Sequence, residues 1–331
     1  MRRFGRALGR ALLVLLLLLG GLVWWLGPRE PAPLGAAFDP RRFGEGVQVY
    51  FESVESRYDD ITPGVEKRVI WRDGFKERRT PVSVLYVHGF SATSEEIRPV
   101  PDRLAAALGA NLVYTRLRGH GRDGAALAEA RVADWMADMA EALAAARAVG
   151  ERVVVVATST GATLATAAAL DPELSQGMAA LVMISPNYGL NAPAARLLNW
   201  PAARFWLPLL VGSERRIIPR TPEQARYWTT RYPVVALLPM AALVQRVARL
   251  EVEDARVPAL FRLSEADRVV RADAARRIAA RWGAPSVLQL VTMEPGDDPD
   301  AHVIAGAILS PGQTDRALAD ILAFLATQGI E

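Results

Sequence analysis

Residues Val153–Gly161 read VVVVATSTG, and a run of small residues, ATLATAAAL, follows. Four consecutive valines have no polar side to turn to solvent, so this strand belongs in the interior of a sheet covered on both faces. The chain must then pass from strand to helix within Ala157–Gly161. A sharp strand-to-helix turn holds a serine hydroxyl above the sheet edge, which is the context of a nucleophile elbow. Small residues two positions either side of Ser159 are needed because the helix crosses very near the strand. Gly161 meets that need in full, whereas Ala157 stands where a first glycine is usual and adds one methyl group. A serine at a strand end is on its own more often a helix N-cap, so the motif needs partners elsewhere in the chain.

The rest of the sequence supplies a matching framework. Strands are expected at Val47–Val54, Val65–Trp71, Val82–Val87, Asn111–Leu117, Arg152–Ala157, Met178–Ser185, Ala259–Leu263 and Val287–Met293. Helices are expected at Ser94–Leu108, Val132–Ala148, Thr160–Leu170, Ala272–Arg281 and Thr314–Thr327. Apolar strands that alternate with helices predict an α/β architecture with a mainly parallel central sheet and helices on both faces. One stretch breaks the alternation. From Pro186 to about Val257 no strand is evident, yet Trp200, Phe205, Trp206, Tyr227, Trp228 and Tyr232 all lie there. A structureless loop of that length is improbable in a compact domain. It reads as a helical cap insertion over about 187–257, with at least half of its aromatics packing the cap's own small core.

Partners for Ser159 occur on both sides of it. His88-Gly89-Phe90 follows the apolar run Val82–Val87. A backbone N–H just after such a pair joins the N–H after the nucleophile to form an oxyanion hole, so Phe90 and Thr160 are the predicted donors. The ring of His88 reads as a structural loop histidine. Downstream, Asp267 begins the loop after the strand Ala259–Leu263, and His302 follows the last strand. His302 is the only histidine after the serine, and so the one available base. Glu265 competes with Asp267 for the acid. Asp267 is preferred because it begins the loop, whereas Glu265 ends the strand. Asp297, Asp298 and Asp300 flank the histidine and read as a solvated loop. The order Ser159, Asp267, His302 is that of hydrolases built on a strand–turn–helix nucleophile.

The N-terminus carries a separate signal. Ala11–Leu26 is an uninterrupted apolar run preceded by Arg2, Arg3, Arg6 and Arg10, with Trp24 and Trp25 at its outer end. At about 1.5 Å per residue it spans roughly 24 Å, near the thickness of a bilayer core. Residues 1–27 therefore read as an uncleaved signal anchor, and 28–45, with four prolines, as a linker to a domain over 46–331. The positive-inside rule leaves the arginines in the cytoplasm and the domain on the extracytoplasmic, in a bacterium periplasmic, side. The alternative is a cleaved signal and secretion, although the nearest small-x-small site, Gly35-Ala36-Ala37, lies far downstream.

Net charge is +3, and the leading arginines account for it, so nothing favours a nucleic-acid partner. The absence of cysteine excludes disulfides, thiolate metal sites and cysteine nucleophiles. Three histidines, His88, His120 and His302, are too few for a His-rich metal site, and no metal is expected.

The motifs VLYVHGF (Val84–Phe90), LRGHGRD (Leu117–Asp123), ATSTGA (Ala157–Ala162), SEADRVV (Ser264–Val270) and AHVI (Ala301–Ile304) resemble the α/β-hydrolase superfamily. The likeness is to its monoacylglycerol-lipase and carboxylesterase-like members, from about Val47 to the C-terminus. It implies a serine hydrolase that cleaves small-molecule or lipid esters without a cofactor, through Ser159, Asp267 and His302. It implies a structural role for the GHG loop around His120. A peptidase or amidase on the same scaffold is the first alternative, and a non-catalytic ligand-binding domain the second.

Overall fold

The computed structural model describes residues 2–74 and 76–331. Its strands are β1 Arg68–Ile70, β2 Thr80–Val87, β3 Asn111–Tyr114, β4 Gly150–Thr158, β5 Met178–Ile184, β6 Glu214–Arg216, β7 Arg231–Pro233, β8 Ala259–Leu263 and β9 Ser286–Leu290. Its first helices are α1 Arg2–Leu26, α2 Val47–Glu55, α3 Val100–Ala107, α4 Gly124–Glu129, α5 Val132–Val149 and α6 Thr160–Leu170. The remainder are α7 Ala203–Val211, α8 Pro222–Tyr227, α9 Leu237–Val247, α10 Ala272–Arg281 and α11 Thr314–Thr327.

Seven strands form one sheet in the order β1-β3-β2-β4-β5-β8-β9 among the described residues. β1 runs antiparallel to β3, and every other pairing is parallel. The valine-rich β4 lies in the middle, as its lack of a polar face requires. Alternation along the strands divides two cores. Val153, Val155, Leu85, Leu181 and Phe261 face the layer of α5, α6 and α10. Val154, Val156, Tyr86, Val182 and Leu260 face that of α3 and α11.

Three expectations need correction. Val47–Val54, expected as a strand, lies in the helix α2. Val47, Phe51 and Glu55, spaced by four, are its buried residues, and the 3.6-residue period prevails because one stripe suffices to dock on the sheet layer. The cap is mainly helical but also holds the hairpin β6–β7. Its strands, ERR and RYP, are too short and too polar to show a period of two. Finally, the cap's own core is aliphatic, built on Leu198, Leu207, Val234 and Leu238, with Trp206 packed partly against it. Trp228 and Tyr232 are buried, but they pack with residues of the main domain.

Residues 27–39 form no helix or strand. They nevertheless lie on the domain, with Leu34 and Phe38 packed against its core and Glu30 paired to Arg204 at 2.7 Å. Within α1, Gly9–Leu26 is long and apolar enough to cross a membrane, with a mean hydropathy of 2.0 and none of its described residues buried.

Candidate active site

β4 ends at Thr158 and α6 begins at Thr160, so Ser159 makes the whole turn alone. Its backbone sits at φ 51° and ψ −114°, a conformation an L-residue adopts only under local constraint. A Cβ at position 161 would overlap the carbonyl oxygens of Val87 and His88, so α6 can cross β2 only because residue 161 is glycine. The backbone N–H of Ser159 is tied to the Ile184 carbonyl at 2.9 Å, which anchors the turn to the neighbouring strand.

The loops after β8 and β9 bring two further side chains to the same rim. Ser159 Oγ lies 3.1 Å from His302 Nε2, and His302 Nδ1 lies 2.8 Å from Asp267 Oδ2. All three residues are buried. With Nδ1–H donating to the carboxylate, Nε2 is left as the acceptor for the serine hydroxyl. Asp267 Oδ1 accepts the N–H groups of Val269 and Val270, each at 2.8 Å, so the carboxylate is held from both ends. Burial disfavours the charged imidazole, but the facing Asp267 carboxylate outweighs it and raises the pKa of His302 above the ordinary 6.5. Glu265 points elsewhere, exposed and paired with Arg276.

The predicted backbone donors flank the serine. Thr160 is the first residue of α6, where an amide has no intrahelical acceptor. The Phe90 amide follows Gly89, which is close enough to Ser159 that a Cβ at residue 89 would lie 3.2 Å from the serine Cβ. The ring of His88 serves the backbone: Nδ1 bonds the Gly89 carbonyl at 2.9 Å, and Nε2 accepts from Leu117 N–H at 3.2 Å. Burial lowers its pKa to about 4, so it stays neutral. His120 is also buried, between His88 and Trp135, and burial holds its pKa well below the usual value. Arg116 clamps this loop by donating to the His120 carbonyl and pairing with Glu55 at 2.6 Å.

Residues 79–294, close to two thirds of the chain, match the profile of the hydrolase family described as serine aminopeptidase, S33. The chain belongs to this α/β-hydrolase family. A curated relative, the thermostable monoacylglycerol lipase of Bacillus sp. (strain H-257), is 26% identical over 196 residues, covering 59% of this chain and 74% of that one. Among solved structures, one reported for the metagenome-derived lipolytic enzymes LipS and LipT superposes with a TM-score of 0.65 at 21% identity. It covers 81% of this chain and 99% of its own. A soluble variant of the Saccharomyces cerevisiae monoglyceride lipase superposes with a TM-score of 0.58 at 12% identity, over 80% of this chain and 91% of its own. These structural likenesses concern the fold.

Two residues of this α/β-hydrolase's rim, Glu96 and Asn191, went unforeseen in the sequence, and the role of a third, Asp298, was misjudged. Glu96 is buried beside the serine turn, where Oε2 accepts the Gly89 N–H at 2.8 Å and the Tyr86 hydroxyl at 2.9 Å. Burial raises its pKa above the ordinary carboxylate value. Asn191, at the entry to the cap, donates to the carbonyls of Asp267 and Val270 at 2.7 and 2.8 Å and so fastens the acid loop. Asp298 corrects the expectation of a solvated loop. Asp297 and Asp298 are buried, and Asp298 accepts the amides of His302 and Val303 at 3.1 and 3.0 Å. A loop that turns a histidine inward buries its own N–H groups, and these need acceptors. Asp300 is partly exposed and bonds Arg220 at 2.8 Å. The motif SEEIRP gave no sign of Glu96, because a second glutamate, Glu95, stands next to it on the surface side with Arg98.

Proposed function

We propose that this α/β-hydrolase is a serine hydrolase of acyl esters, esterase- or lipase-like, with Ser159 as nucleophile, His302 as base and Asp267 as the residue that orients it. The observation that carries the reading is the hydrogen-bonded line Ser159–His302–Asp267, with distances of 3.1 and 2.8 Å, at a left-handed serine turn. His302 takes the serine proton as Oγ attacks the ester carbonyl, and Asp267 stabilises the imidazolium that forms. The N–H groups of Phe90 and Thr160 receive the developing oxyanion. Collapse expels the alcohol. His302 then activates water to release the acid from the acyl-enzyme.

Acyl esters are favoured over other substrates by the relatives named as monoacylglycerol lipases and lipolytic enzymes. The chemistry draws on no cofactor or metal. The chain is held in a membrane by α1, with the domain on the extracytoplasmic side, because four arginines precede the apolar span. A second reading, cleavage at a peptide N-terminus, is favoured by the family description alone. Against it, residues 187–257 of the cap carry ten arginines and five acidic residues, an unfavourable balance for a cationic amino terminus.

The test is turnover of p-nitrophenyl esters of increasing acyl length by the full chain in detergent, beside Ser159→Ala. Wild-type turnover that falls to background in the variant supports the reading, and the preferred length sizes the acyl site. Faster cleavage of an aminoacyl anilide than of the matching ester reverses the choice between ester and peptide. A folded chain with no turnover on any ester overturns the esterase reading.

A further inference from the structure

α7 has an amino-acid sequence that a water-exposed helix does not have. It reads ARFWLPLLV, with a single charge at Arg204. Ala203 and Leu207 point into the cap and are buried. The opposite side should be polar in a helix facing water. Instead Phe205 and Leu209 lie there, 67% and 89% exposed, and in the last turn of the helix Leu210 and Val211, nearer the Ala203–Leu207 side, are 66% and 50% exposed. Ile218, just beyond the helix, is 88% exposed. Exposed apolar side chains concentrated in this way on one short element mark a contact with something outside the chain.

What covers it follows from where α1 ends. The last residues of α1 are not remote from the cap. The Trp24 ring meets Trp200 edge-on at 5.4 Å, and Trp200 meets Trp206 at 6.1 Å. Directly after the helix, the Pro28 carbonyl accepts the N–H of Ala202, the residue before α7, at 2.7 Å. Arg29 donates to the Asn199 carbonyl at 3.1 Å, and Glu30 pairs with Arg204 at 2.7 Å. An apolar groove of about 400 Å³ runs between the two, lined by Leu16, Val23 and Trp24 from α1 and by Trp200 and Trp206 from the cap. Leu16 lies ten residues before Leu26, about 15 Å along the helix axis. The cap therefore lies beside the outer part of the apolar span, from Leu16 to the level of Trp24, where tryptophans prefer the membrane interface. Arg215 and Arg216 follow α7 and are exposed, as suits a surface that meets anionic headgroups.

We propose that the outer face and C-terminal end of α7 form a docking surface for the same lipid bilayer that α1 spans, with Phe205 and Leu209 on the face and Leu210 and Val211 at the end seated at the headgroup–acyl boundary. The cap, and with it the rim that holds Ser159, is then held against the membrane by two elements: one that crosses and one that lies flat. The inference rests on α1 as a membrane span and is independent of the ester chemistry.

The chain has no cysteine, so a single introduced thiol carries a unique label. Full-length Leu209→Cys and Glu151→Cys, the latter at the opposite end of β4, would each be labelled with a polarity-sensitive fluorophore. Both would be reconstituted into phosphatidylcholine–phosphatidylglycerol vesicles with and without spin-labelled lipid. Docking predicts blue-shifted emission at 209 and quenching by the lipid roughly twofold or more above that at 151, as for a residue seated at an interface. Vesicles that float with the protein while both labels respond alike overturn docking and leave the anchor intact. Protein that does not float with vesicles overturns both. Burial of the 209 label that depends on protein concentration and ignores lipid quenchers assigns the face to a second copy and overturns the proposal. Replacing Leu209 and Leu210 together by aspartate is expected to abolish the lipid quenching of a label at Phe205→Cys, with turnover of a soluble short-chain ester retained.

Discussion

At the rim of the sheet, Ser159, Glu96, Asp267, Asp298 and His302 are polar and buried; on α7, Phe205, Leu209, Leu210 and Val211 are apolar and exposed. Both regions break the ordinary distribution of residues, in opposite directions. At the rim, the side chains find partners within the chain: His302 between Ser159 and Asp267, Glu96 between Gly89 and Tyr86, Asp298 on the His302 amide. For these side chains desolvation is offset by hydrogen bonds within the chain. On α7 nothing among the described residues covers these side chains. The comparison teaches that a buried polar cluster can be self-sufficient, whereas an exposed apolar face points outward to its solvent or partner.

The sharpest way to break this comparison is at the rim. Ser159→Ala is expected to lower kcat by about 10⁴- to 10⁶-fold with an unchanged circular-dichroism spectrum, and Asp267→Asn by about 10⁴-fold through the wrong imidazole tautomer. Retention of esterase turnover in either variant would remove the hydrogen-bonded line from the chemistry.

Glu96 measures how far the rim depends on its second carboxyl group. Glu96→Ala frees the Gly89 amide and the turn that carries Phe90, with an expected loss of about 10²-fold in kcat, the scale of one oxyanion donor. Glu96→Gln keeps an acceptor for Gly89 and should recover activity to within about tenfold of wild type, since a neutral bond replaces a partly charged one. Equal loss in both variants would make the carboxyl's charge, and not its hydrogen bond, the important property.

On α7 the contrast lies between the two faces of one helix. Leu207→Ala, at a buried position, is expected to cost about 2–5 kcal/mol in chemical denaturation. Leu209→Ala, two residues away and exposed, should change stability in detergent by no more than about 0.5 kcal/mol. A large effect at Leu209 would mean that its face is packed within the folded chain.

The mildest expected effect is a displaced pH profile. Neutral His302 is the form that accepts the serine proton, and Asp267 raises its pKa above 6.5. As pH rises through that raised value, kcat/KM should climb, and it should fall on the acid side. A midpoint below 6.5 for the acid limb, measured on a soluble ester, would show that burial prevails over the carboxylate.

Much of this was legible in the order of residues because it depends on local stereochemistry. Four valines, a serine and a glycine confine β4 and the start of α6, and Ala259–Leu263, Ala272–Arg281 and Thr314–Thr327 have the extents expected of them. The strand expected at Val47–Val54 is a helix, because so short an apolar run also satisfies a helical stripe and the neighbouring layer decides. Which charges turn inward was equally hidden. Glu95 and Glu96 are adjacent and chemically alike, yet one pairs with Arg98 and the other is buried under Gly89.

By itself, then, the sequence determined the α/β alternation, the position of the serine turn, the apolar span at the N-terminus and the residue types available for chemistry. These follow from periodicity, steric demand and composition, which act over a few neighbouring residues. Only the tertiary structure decided that Asp298 caps the histidine loop, that Asn191 fastens the acid loop, and that the start of α7 stands beside the end of α1. Each joins segments far apart in the chain, and their meeting depends on strand order and layer packing, to which no local pattern has access.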